Sequence, residues 1–380
     1  MGDHLRKALP GLPTLVIGCW LGATGSLAAP RALAAARRTA APTPAGWTAS
    51  RPSPAPPDTT DVGGGLVIGP DHAGIGIGDV PVLHGLRLNF RDARLRHVDG
   101  IALSVWAPAH DRIGGTVNGL ALGIVGPAAD RLNGVGVGVG GVYARQSADG
   151  LFVAGLGVVG EGTVSGIAVA GLGTVVQGDA AGLLVAGLGT VVEGSAAGLL
   201  AGGLATVVQG RGRGIGIGGL ATVAEGSWTG ISLGGLAAVV QGSAQGVTAG
   251  GLATVAEEEL SGLAIGGLAV VGSRGIAGLA VSPGVVVSDG PVRGLALAGY
   301  EVRAAAMSGL AAAIVRTEAD RLSGLGVASW NRVRGRGTGL LIGLYNDVDE
   351  LHGVEIGLLN RARNNPSPFQ FVPFINVHLP

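Results

Sequence analysis

The stretch from Gly182 to Ala197 reads GLLVAGLGTVVEGSAA and defines a unit that the chain repeats every 16 residues. Its leading glycine recurs at Gly150, Gly166, Gly182, Gly198, Gly214, Gly230, Gly246, Gly262 and Gly278. A second glycine follows five residues after each of the first eight leading glycines, from Gly155 to Gly267. A short fixed period of this kind indicates a stacked, quasi-one-dimensional architecture.

Each unit predicts two short β-strands. With the leading glycine as position 0, positions 1 and 3 are large and apolar in most units, as in Leu183 and Val185, whereas position 2 varies. This alternation predicts a strand whose constant face points inward and whose other face is variable. Glycine at position 5 precedes leucine at position 6, so the apolar parity changes there and predicts a glycine corner. Small and polar residues then close the unit with a turn.

Stacking of such units predicts an all-β fold, a parallel β-solenoid of about 18 short glycine-led coils and roughly 85 Å in length at about 4.8 Å per rung. The alternative is an antiparallel β-meander or an outer-membrane β-barrel, in which neighbouring units point in opposite directions. Helices are disfavoured, because glycine every few residues costs a helix roughly 1 kcal/mol each. The apolar runs are also shorter than the roughly 20 residues of a membrane-spanning helix.

Position 11 bears on this choice, because it alternates between glutamate and glutamine over seven units: Glu161, Gln177, Glu193, Gln209, Glu225, Gln241 and Glu257. In a solenoid, the amides could donate hydrogen bonds to the carboxylates on either side. In a meander, all the glutamates would share one edge. Duplication of a two-unit block would leave the same pattern.

Composition excludes several classes of function. The 380 residues include 74 glycines and equal numbers of basic and acidic residues, 25 of each, so no net charge attracts nucleic acid. The only lysine is Lys7 and the only cysteine is Cys19. If that first segment is removed, the mature chain has no thiol or lysine for disulfides, thiolate catalysis or Schiff-base chemistry.

The composition changes along the chain predict four segments. Residues 1–34 have the layout of a signal peptide, with cleavage after Ala34; a lipobox ending at lipidated Cys19 and an uncleaved anchor are the alternatives. Residues 35–61 form a Pro/Ala/Thr-rich tether. Residues 62–365 hold tandem β repeats of 14–19 residues, and residues 366–380 form an aromatic C-terminal cap over the last rung.

Two late units carry a family resemblance. Gly339 to Val348 reads GLLIGLYNDV, and Gly353 to Ala362 reads GVEIGLLNRA. They resemble a bacterial surface-repeat family with Gly-Leu-x-x-Gly-Leu-x-Asn-type tandem repeats, and the ending Phe374 to Val377 is similar to the way such proteins finish. The central units depart from the motif, with threonine near the place of the asparagine. The resemblance implies export and surface display with no assigned activity, and it provides no functional residues.

Several short patterns resemble chemical sites. Gly230 to Gly234 matches the G-x-S-x-G elbow around Ser232, but Ser232 occupies the variable position 2 of an ordinary repeat. The glycine strings from Gly134 to Gly138 lack the helix of a dinucleotide site. The densest polar cluster falls in a predicted turn and could bind a divalent cation: Asp347, Asp349, Glu350, His352 and Glu355.

A threonine file at position 8 allows an ice-binding surface or an inward hydroxyl ladder, and the apolar neighbours of each threonine favour the inward ladder. We therefore expect no catalytic, cofactor-binding or metal-binding residues and no cofactor. The sequence predicts an exported bacterial repeat protein, a structural or adhesive scaffold at the cell surface, periplasm or outer membrane. The expected partners are the cell envelope and possible further copies of the chain, with no nucleic acid and no small-molecule substrate; the alternative is an outer-membrane barrel protein.

Overall fold

A computed structural model describes residues 64–108 and 112–378. The predicted signal peptide, the tether and Cys19 lie outside the described residues. Those residues form 29 β-strands and no helix, within one compact unit that begins at Gly63.

The strands fall into three groups along the chain. The N-terminal strands vary from four to 14 residues and are irregularly spaced: β1 Gly65–Ile68, β2 Ala73–Gly78, β3 Val82–Arg91, β4 His97–Trp106, β5 Thr116–Gly123, β6 Ala128–Gly138 and β7 Gly141–Ala154. The C-terminal strands each span most of a coil: β24 Val285–Ala298, β25 Glu301–Ala313, β26 Arg316–Val327, β27 Trp330–Ile342, β28 Tyr345–Ala362 and β29 Phe371–His378.

Between them, the central coils alternate a four-residue strand with one of seven or eight residues: β8 Gly157–Gly160, β9 Thr163–Ala170, β10 Gly173–Val176, β11 Ala180–Ala186, β12 Gly189–Val192, β13 Ala196–Gly202, β14 Ala205–Val208, β15 Gly212–Gly218, β16 Ala221–Ala224, β17 Trp228–Gly234, β18 Ala237–Val240, β19 Ala244–Gly250, β20 Ala253–Ala256, β21 Glu259–Gly266, β22 Ala269–Gly272 and β23 Gly275–Ser282. These two strands per unit confirm the predicted repeat.

Neighbouring coils pair in parallel, and their leading glycines stack in one file from Gly74 to Gly353. The result is a β-solenoid of about 17 turns. The parallel register confirms the predicted fold and excludes the antiparallel meander and barrel for the described residues, because those folds require neighbouring units in opposite directions. Among the described strands, antiparallel pairing occurs only at the two ends, between β1 and β2 and between β28 and β29.

The two recurring glycines are required for different reasons. At position 0 the backbone is left-handed, with φ of 115° at Gly182, and a Cβ would lie 2.0 Å from the Gly166 carbonyl oxygen of the preceding coil. At position 5, a Cβ on Gly187 would lie 2.0 Å from the carbonyl oxygen of Gly171. Any side chain would therefore separate the rungs, which is why both glycines recur with the period.

The predicted orientation of the long strand is wrong. Positions 1 and 3 face solvent and are half-exposed, whereas the variable position 2 is buried, as Leu184 and Leu200 show with exposures of 1% and 0%. Positions 4, 8, 10 and 14 are also buried in the central coils and hold mostly alanine, threonine and valine. A 16-residue coil encloses a narrow interior, so mostly small side chains fill it, and the large aliphatic residues of positions 1 and 3 lie outside.

One column of the core joins the central and C-terminal coils. Four buried threonines at position 8 donate from Oγ1 to a carbonyl of the next coil at 2.5–2.9 Å, namely Thr190, Thr206, Thr222 and Thr254. The same column continues in register through Thr317 to three fully buried asparagines, Asn331, Asn346 and Asn360. Each asparagine also donates to a carbonyl of the next rung, so threonine and asparagine satisfy equivalent backbone groups.

A single tryptophan interrupts the small-residue core. Trp228 is fully buried at position 14, where three other central units have alanine, and its Nε1 donates to the Ile231 carbonyl at 3.2 Å. The preceding coil makes room with two glycines, because a Cβ on Gly212 or Gly216 would lie 1.9 Å or 2.7 Å from the indole. The large side chain and the two glycines are therefore a matched set.

Both ends of the stack contain buried polar groups. Near the N-terminal end, Arg87 occupies the inward position 2 and is 1% exposed. It donates to the Val80 carbonyl at 2.9 Å and pairs with Asp92 and Asp79, so the buried charge is compensated. At the C-terminal end, β29 covers the last rung, while Phe369, Phe371 and Phe374 of the predicted aromatic cap are 49–68% exposed.

Candidate functional site

The outer side of the long strands is the most regular surface of the molecule. Every position-1 residue is a branched aliphatic: Ile75, Leu86, Ile101, Leu120, Val135, Leu151, Ile167, Leu183, Leu199, Ile215, Ile231, Val247, Leu263, Leu279, Leu295, Leu310, Leu325, Leu340 and Val354. Every position-3 residue is also aliphatic: Ile77, Leu88, Leu103, Leu122, Val137, Val153, Val169, Val185, Ala201, Ile217, Leu233, Ala249, Ile265, Val281, Leu297, Ala312, Val327, Ile342 and Ile356. We call these two solvent-facing columns, together with the leucines at position 6, the aliphatic face.

Exposed leucines widen the aliphatic face in the central coils. The position-6 leucines, from Leu156 to Leu268, are 47–57% exposed and project at the glycine corner. Near the N-terminal end, the position-3 column borders an apolar groove of about 550 Å³ that also contacts Phe90 and Ile124. An aliphatic surface that continues along a whole molecule far exceeds the patches usual on soluble monomers.

A second regular surface lies on the short-strand side of the C-terminal coils. Where the central coils have valine at position 9, the C-terminal coils have charges that alternate in sign along one register column: Arg303, Glu318, Arg332, Asp347 and Arg361. We call this column the charge ladder. Opposite charges on adjacent strands attract, so the alternation stabilises the stacked coils.

Glu318 is the most buried member of the charge ladder and the centre of an arginine cluster. It is 4% exposed, contacts Arg316 and Arg334, and lies 3.8 Å from Nε of Arg303. Arg303 also pairs with Glu301 at 2.9 Å. Glu318 and its three arginines line a polar cleft of about 350 Å³ together with Asp289 and Asp320. The carboxylates balance the arginines, so the cleft has no charge excess that would favour an ionic ligand.

Aromatic residues extend the same surface. The Arg316 guanidinium lies 4.9 Å from the ring centroid of Trp330, and the rings of Trp330 and Tyr345 lie 6.2 Å apart. Arg361 likewise lies 4.9 Å from the ring of Phe371 in the terminal strand. These contacts fix the arginine side chains through cation–π attraction.

The terminal coil encloses a buried carboxyl group. Glu355 is fully buried at position 2, and its Oε2 accepts a hydrogen bond from Asn376 in β29 at 3.3 Å. Burial raises the pKa of Glu355 to about 8; the Asn376 amide opposes the rise and the Asp347 carboxylate adds to it. Asn376 in turn accepts from Asn365 at 2.8 Å. A largely protonated Glu355 at neutral pH therefore joins the last coil to β29.

Stacking also brings two N-terminal histidines together on the surface. Nδ1 of His84 lies 2.9 Å from one oxygen of Asp99, and Nε2 of His97 lies 3.0 Å from the other. A hydrogen bond from Asn118 lowers the pKa of Asp99, with a smaller lowering from His97. Among the described residues, however, no group of three or more potential ligands is arranged to hold a metal ion.

The structure separates the residues of the predicted acidic cluster. Asp347 and Asp349 face Arg363 at 3.6 Å and 2.9 Å, and Glu350 faces Arg336 at 3.7 Å. Glu355 points into the core instead. These carboxylates are thus occupied by arginine or buried, and they do not converge on one point.

The other sequence patterns have structural roles. Ser232 is fully buried, so its hydroxyl cannot meet a substrate as a nucleophile. Gly134 to Gly138 lies inside β6, where no helix follows. The buried hydrogen-bonded threonines confirm the inward ladder and exclude an ice-binding threonine surface.

The glutamate and glutamine side chains at position 11 lie along the turn, and most are exposed. In the coils that the structure describes, no hydrogen bond joins a glutamine of this file to a neighbouring glutamate, so amide bridging does not account for the alternation. The charge ladder and the outward aliphatic columns were not predicted. Alignment of the charges by coil would have revealed the ladder, because Arg303, Glu318 and Arg332 recur after 15 and 14 residues.

No helix in the described part of the chain is long and apolar enough to span a membrane. Comparison with known proteins found no matching family model, no similar curated protein and no similar solved structure. The candidate functional site is therefore defined by geometry alone, as the aliphatic face and the charge ladder.

Proposed function

We propose that this chain is an exported bacterial repeat protein that acts as a structural or adhesive scaffold at the cell envelope, without catalytic activity. The observation that carries the proposal is the unbroken aliphatic face. Inside the coils, position 2 ranges from glycine to phenylalanine and arginine, yet outside them positions 1 and 3 remain aliphatic in every coil.

This contrast supports a function in surface contact. A soluble rod with no use for its outer side would gain solubility from polar residues at exposed strand positions. Regular aliphatic columns are instead typical of a surface that binds something extended and apolar. The leader-like first 34 residues and the Pro-rich tether, both predicted from sequence, support display of the rod away from its site of anchoring.

The proposal is tested by fractionating bacteria that express the full chain with a C-terminal epitope tag. We expect the tag in the envelope or the medium and its removal by protease added to intact cells. Residence in the cytoplasm would contradict the proposal.

Adhesion is tested separately with the purified full chain bound to polystyrene or octyl-agarose. Replacing Leu183, Leu199 and Ile215 by serine should lower retention, because all three lie on the aliphatic face. The matched control replaces three valines of the opposite short-strand side, Val191, Val207 and Val223. Equal retention of both triple variants would argue against the aliphatic face as the adhesive surface.

A further inference from the structure

We propose that the polar cleft on the C-terminal strands β24 to β27 binds a neutral sugar. This inference goes beyond the scaffold function, because it assigns a ligand class to one site and is tested on the purified chain, wherever the protein resides. It rests on a depression in the sheet surface, on hydrogen-bonding groups that lack partners, and on the balance of charge in the cleft.

The cleft exists because small side chains interrupt a surface of long ones. Ala304, Ala305 and Ala319 line it, and arginines and carboxylates surround them. It extends over four successive strands, from Asp289 in β24 to Arg334 in β27, which is about 14 Å at about 4.8 Å per rung. Its volume of about 350 Å³ falls in the range of about 300–1,000 Å³ that is typical of small-molecule sites. The cleft therefore has room for a small ligand such as a mono- or disaccharide.

The cleft also contains hydrogen-bonding groups that the protein leaves unused. Within the described residues, the exposed carboxylate of Asp320 forms no ion pair or hydrogen bond, whereas Asp349 farther along the same surface faces Arg363. Nε of Arg303 and Nε of Arg316 have no hydrogen-bond partner, so the carboxylates present do not saturate the guanidinium donors. Both arginine side chains remain partly exposed, at 39% and 26%, and a ligand can reach their outer nitrogen atoms.

The charges of the cleft favour an uncharged ligand. Its charged residues are three arginines and three carboxylates: Arg303, Arg316, Arg334, Asp289, Glu318 and Asp320. An anion would meet the carboxylates and a cation would meet the arginines, so both are disfavoured. A sugar has no charge, and each of its hydroxyl groups both donates and accepts a hydrogen bond. Adjacent hydroxyls can therefore donate to Asp320 and accept from a guanidinium group at the same time.

Aromatic side chains beside the cleft offer the apolar contact that a sugar also needs. The Arg316 guanidinium stacks on Trp330, which is 38% exposed, and Trp330 pairs in register with Tyr345 on the next rung. The electron-rich face of an aromatic ring attracts the C–H groups on one face of a pyranose. A glycan that occupies the cleft can therefore extend along the stack onto Trp330 and Tyr345.

The experiment is saturation-transfer NMR on the purified full chain with maltose, lactose, cellobiose, diacetylchitobiose and methyl mannoside as probes. We expect at least one of them to bind, with a dissociation constant in the millimolar range. Asp320→Ala should weaken this binding by about tenfold or more, because it removes the unused acceptor. Ala305→Phe, which fills the cleft and removes no ion pair, should abolish it. The matched controls are Glu193→Ala and Val191→Phe in the central coils, which should leave binding unchanged.

Binding of none of these sugars would overturn the proposal, and so would equal binding by the wild-type chain and Asp320→Ala. Preferential binding of sodium glucuronate or glycine would also overturn it, because the ligand would then be an anion or a zwitterion. Equal losses in Ala305→Phe and Val191→Phe would place the sugar outside the cleft. Circular dichroism of each variant checks that the coils remain folded. Since Asp320 is exposed and unpaired, Asp320→Ala keeps the test decisive even where Ala305→Phe disturbs the fold.

Discussion

The central coils and the C-terminal coils share one backbone but fill its columns differently. At position 8, central threonines donate to carbonyls of the next coil, whereas Asn331, Asn346 and Asn360 also bond to one another. At position 9, central valines give way to the charge ladder. The difference shows that a column tolerates apolar, neutral polar or charged residues, provided that each residue complements the next rung.

The two regions therefore differ in how far a substitution should act. In the central coils each core hydrogen bond is separate, so the loss of one threonine affects one rung. In the C-terminal coils the amides and charges form continuous networks, in which one change leaves several partners unsatisfied.

The largest effect is expected from pH at the C-terminal end. Because the pKa of Glu355 is raised from 4.5 to about 8 in the folded chain, the protonated carboxyl stabilises the fold fully below pH 4.5. This stabilisation is lost as pH rises toward and through 8. The loss reaches at most about 5 kcal/mol, because a pKa difference of one corresponds to about 1.36 kcal/mol. We expect faster hydrogen exchange in β28 and β29 at pH 9 than at pH 5, after correction for the intrinsic pH dependence of exchange.

Glu355→Gln serves as the control for this prediction, because the amide cannot ionise. The variant should show nearly equal protection of β29 at both pH values. A wild-type chain with the same corrected protection at pH 5 and pH 9 would contradict the assignment of Glu355 as a buried neutral acid.

The asparagine ladder should give the next largest effect. Asn346→Leu removes an acceptor for Asn331 at 2.7 Å and a donor to Asn360 at 2.7 Å, and leaves buried amides without partners. We expect destabilisation of the C-terminal coils by about 3 kcal/mol, measured by hydrogen exchange of β26 to β28. A change below 1 kcal/mol would show that the ladder does not hold these coils together.

The charge ladder should give a somewhat smaller effect. Glu318→Gln removes the carboxylate shared by Arg303, Arg316 and Arg334, whose partly exposed guanidinium groups limit the cost to about 2 kcal/mol. The matched control in the central coils is Glu193→Gln. Because Glu193 is exposed, this variant should change the free energy of unfolding by less than about 0.5 kcal/mol. Urea unfolding at low and high salt measures the free energy of unfolding of both variants. Equal losses of stability would contradict the proposed difference between the central and C-terminal coils.

The smallest effect is expected from one central threonine. Thr206→Val preserves shape but removes the 2.6 Å hydrogen bond from Oγ1 to the Ile217 carbonyl, at a cost of about 1 kcal/mol. Hydrogen exchange should report it within the adjoining coils alone. Loss of protection that spreads to the C-terminal coils would show that the central rungs are not independent.

The sequence was sufficient to predict the period, the two strands per unit, the glycine corner and the parallel stack, because backbone crowding admits only glycine at position 0 and, in the central coils, at position 5. It was not sufficient to predict which side of the strand faces inward. Burial of large aliphatic residues is the general tendency, so Leu183 and Val185 were expected inside. The narrow coil overrides that tendency and encloses the smaller or more variable residues, such as Ala186 and Thr190.

The site was harder to predict, because the residues that contact one another belong to different coils. Asp347 and Glu350 are near neighbours in sequence, which suggested a shared ligand, but their actual partners are Arg363 and Arg336. Glu355 gave no sign of burial, because a glutamate at position 2 looked like part of a solvated turn.

The most direct test of the central claim is thiol labelling of two positions of one coil, one on the long strand and one at the glycine corner, in the full chain carrying Cys19→Ser. The structure places Leu236 outside at 47% exposure and Ser232 inside at 0%. Leu236→Cys should react with a maleimide at nearly the rate of a free thiol, and Ser232→Cys should react only after unfolding in denaturant. Rapid labelling of Ser232→Cys in the folded chain, with Leu236→Cys protected at concentrations where the chain is monomeric, would contradict the account.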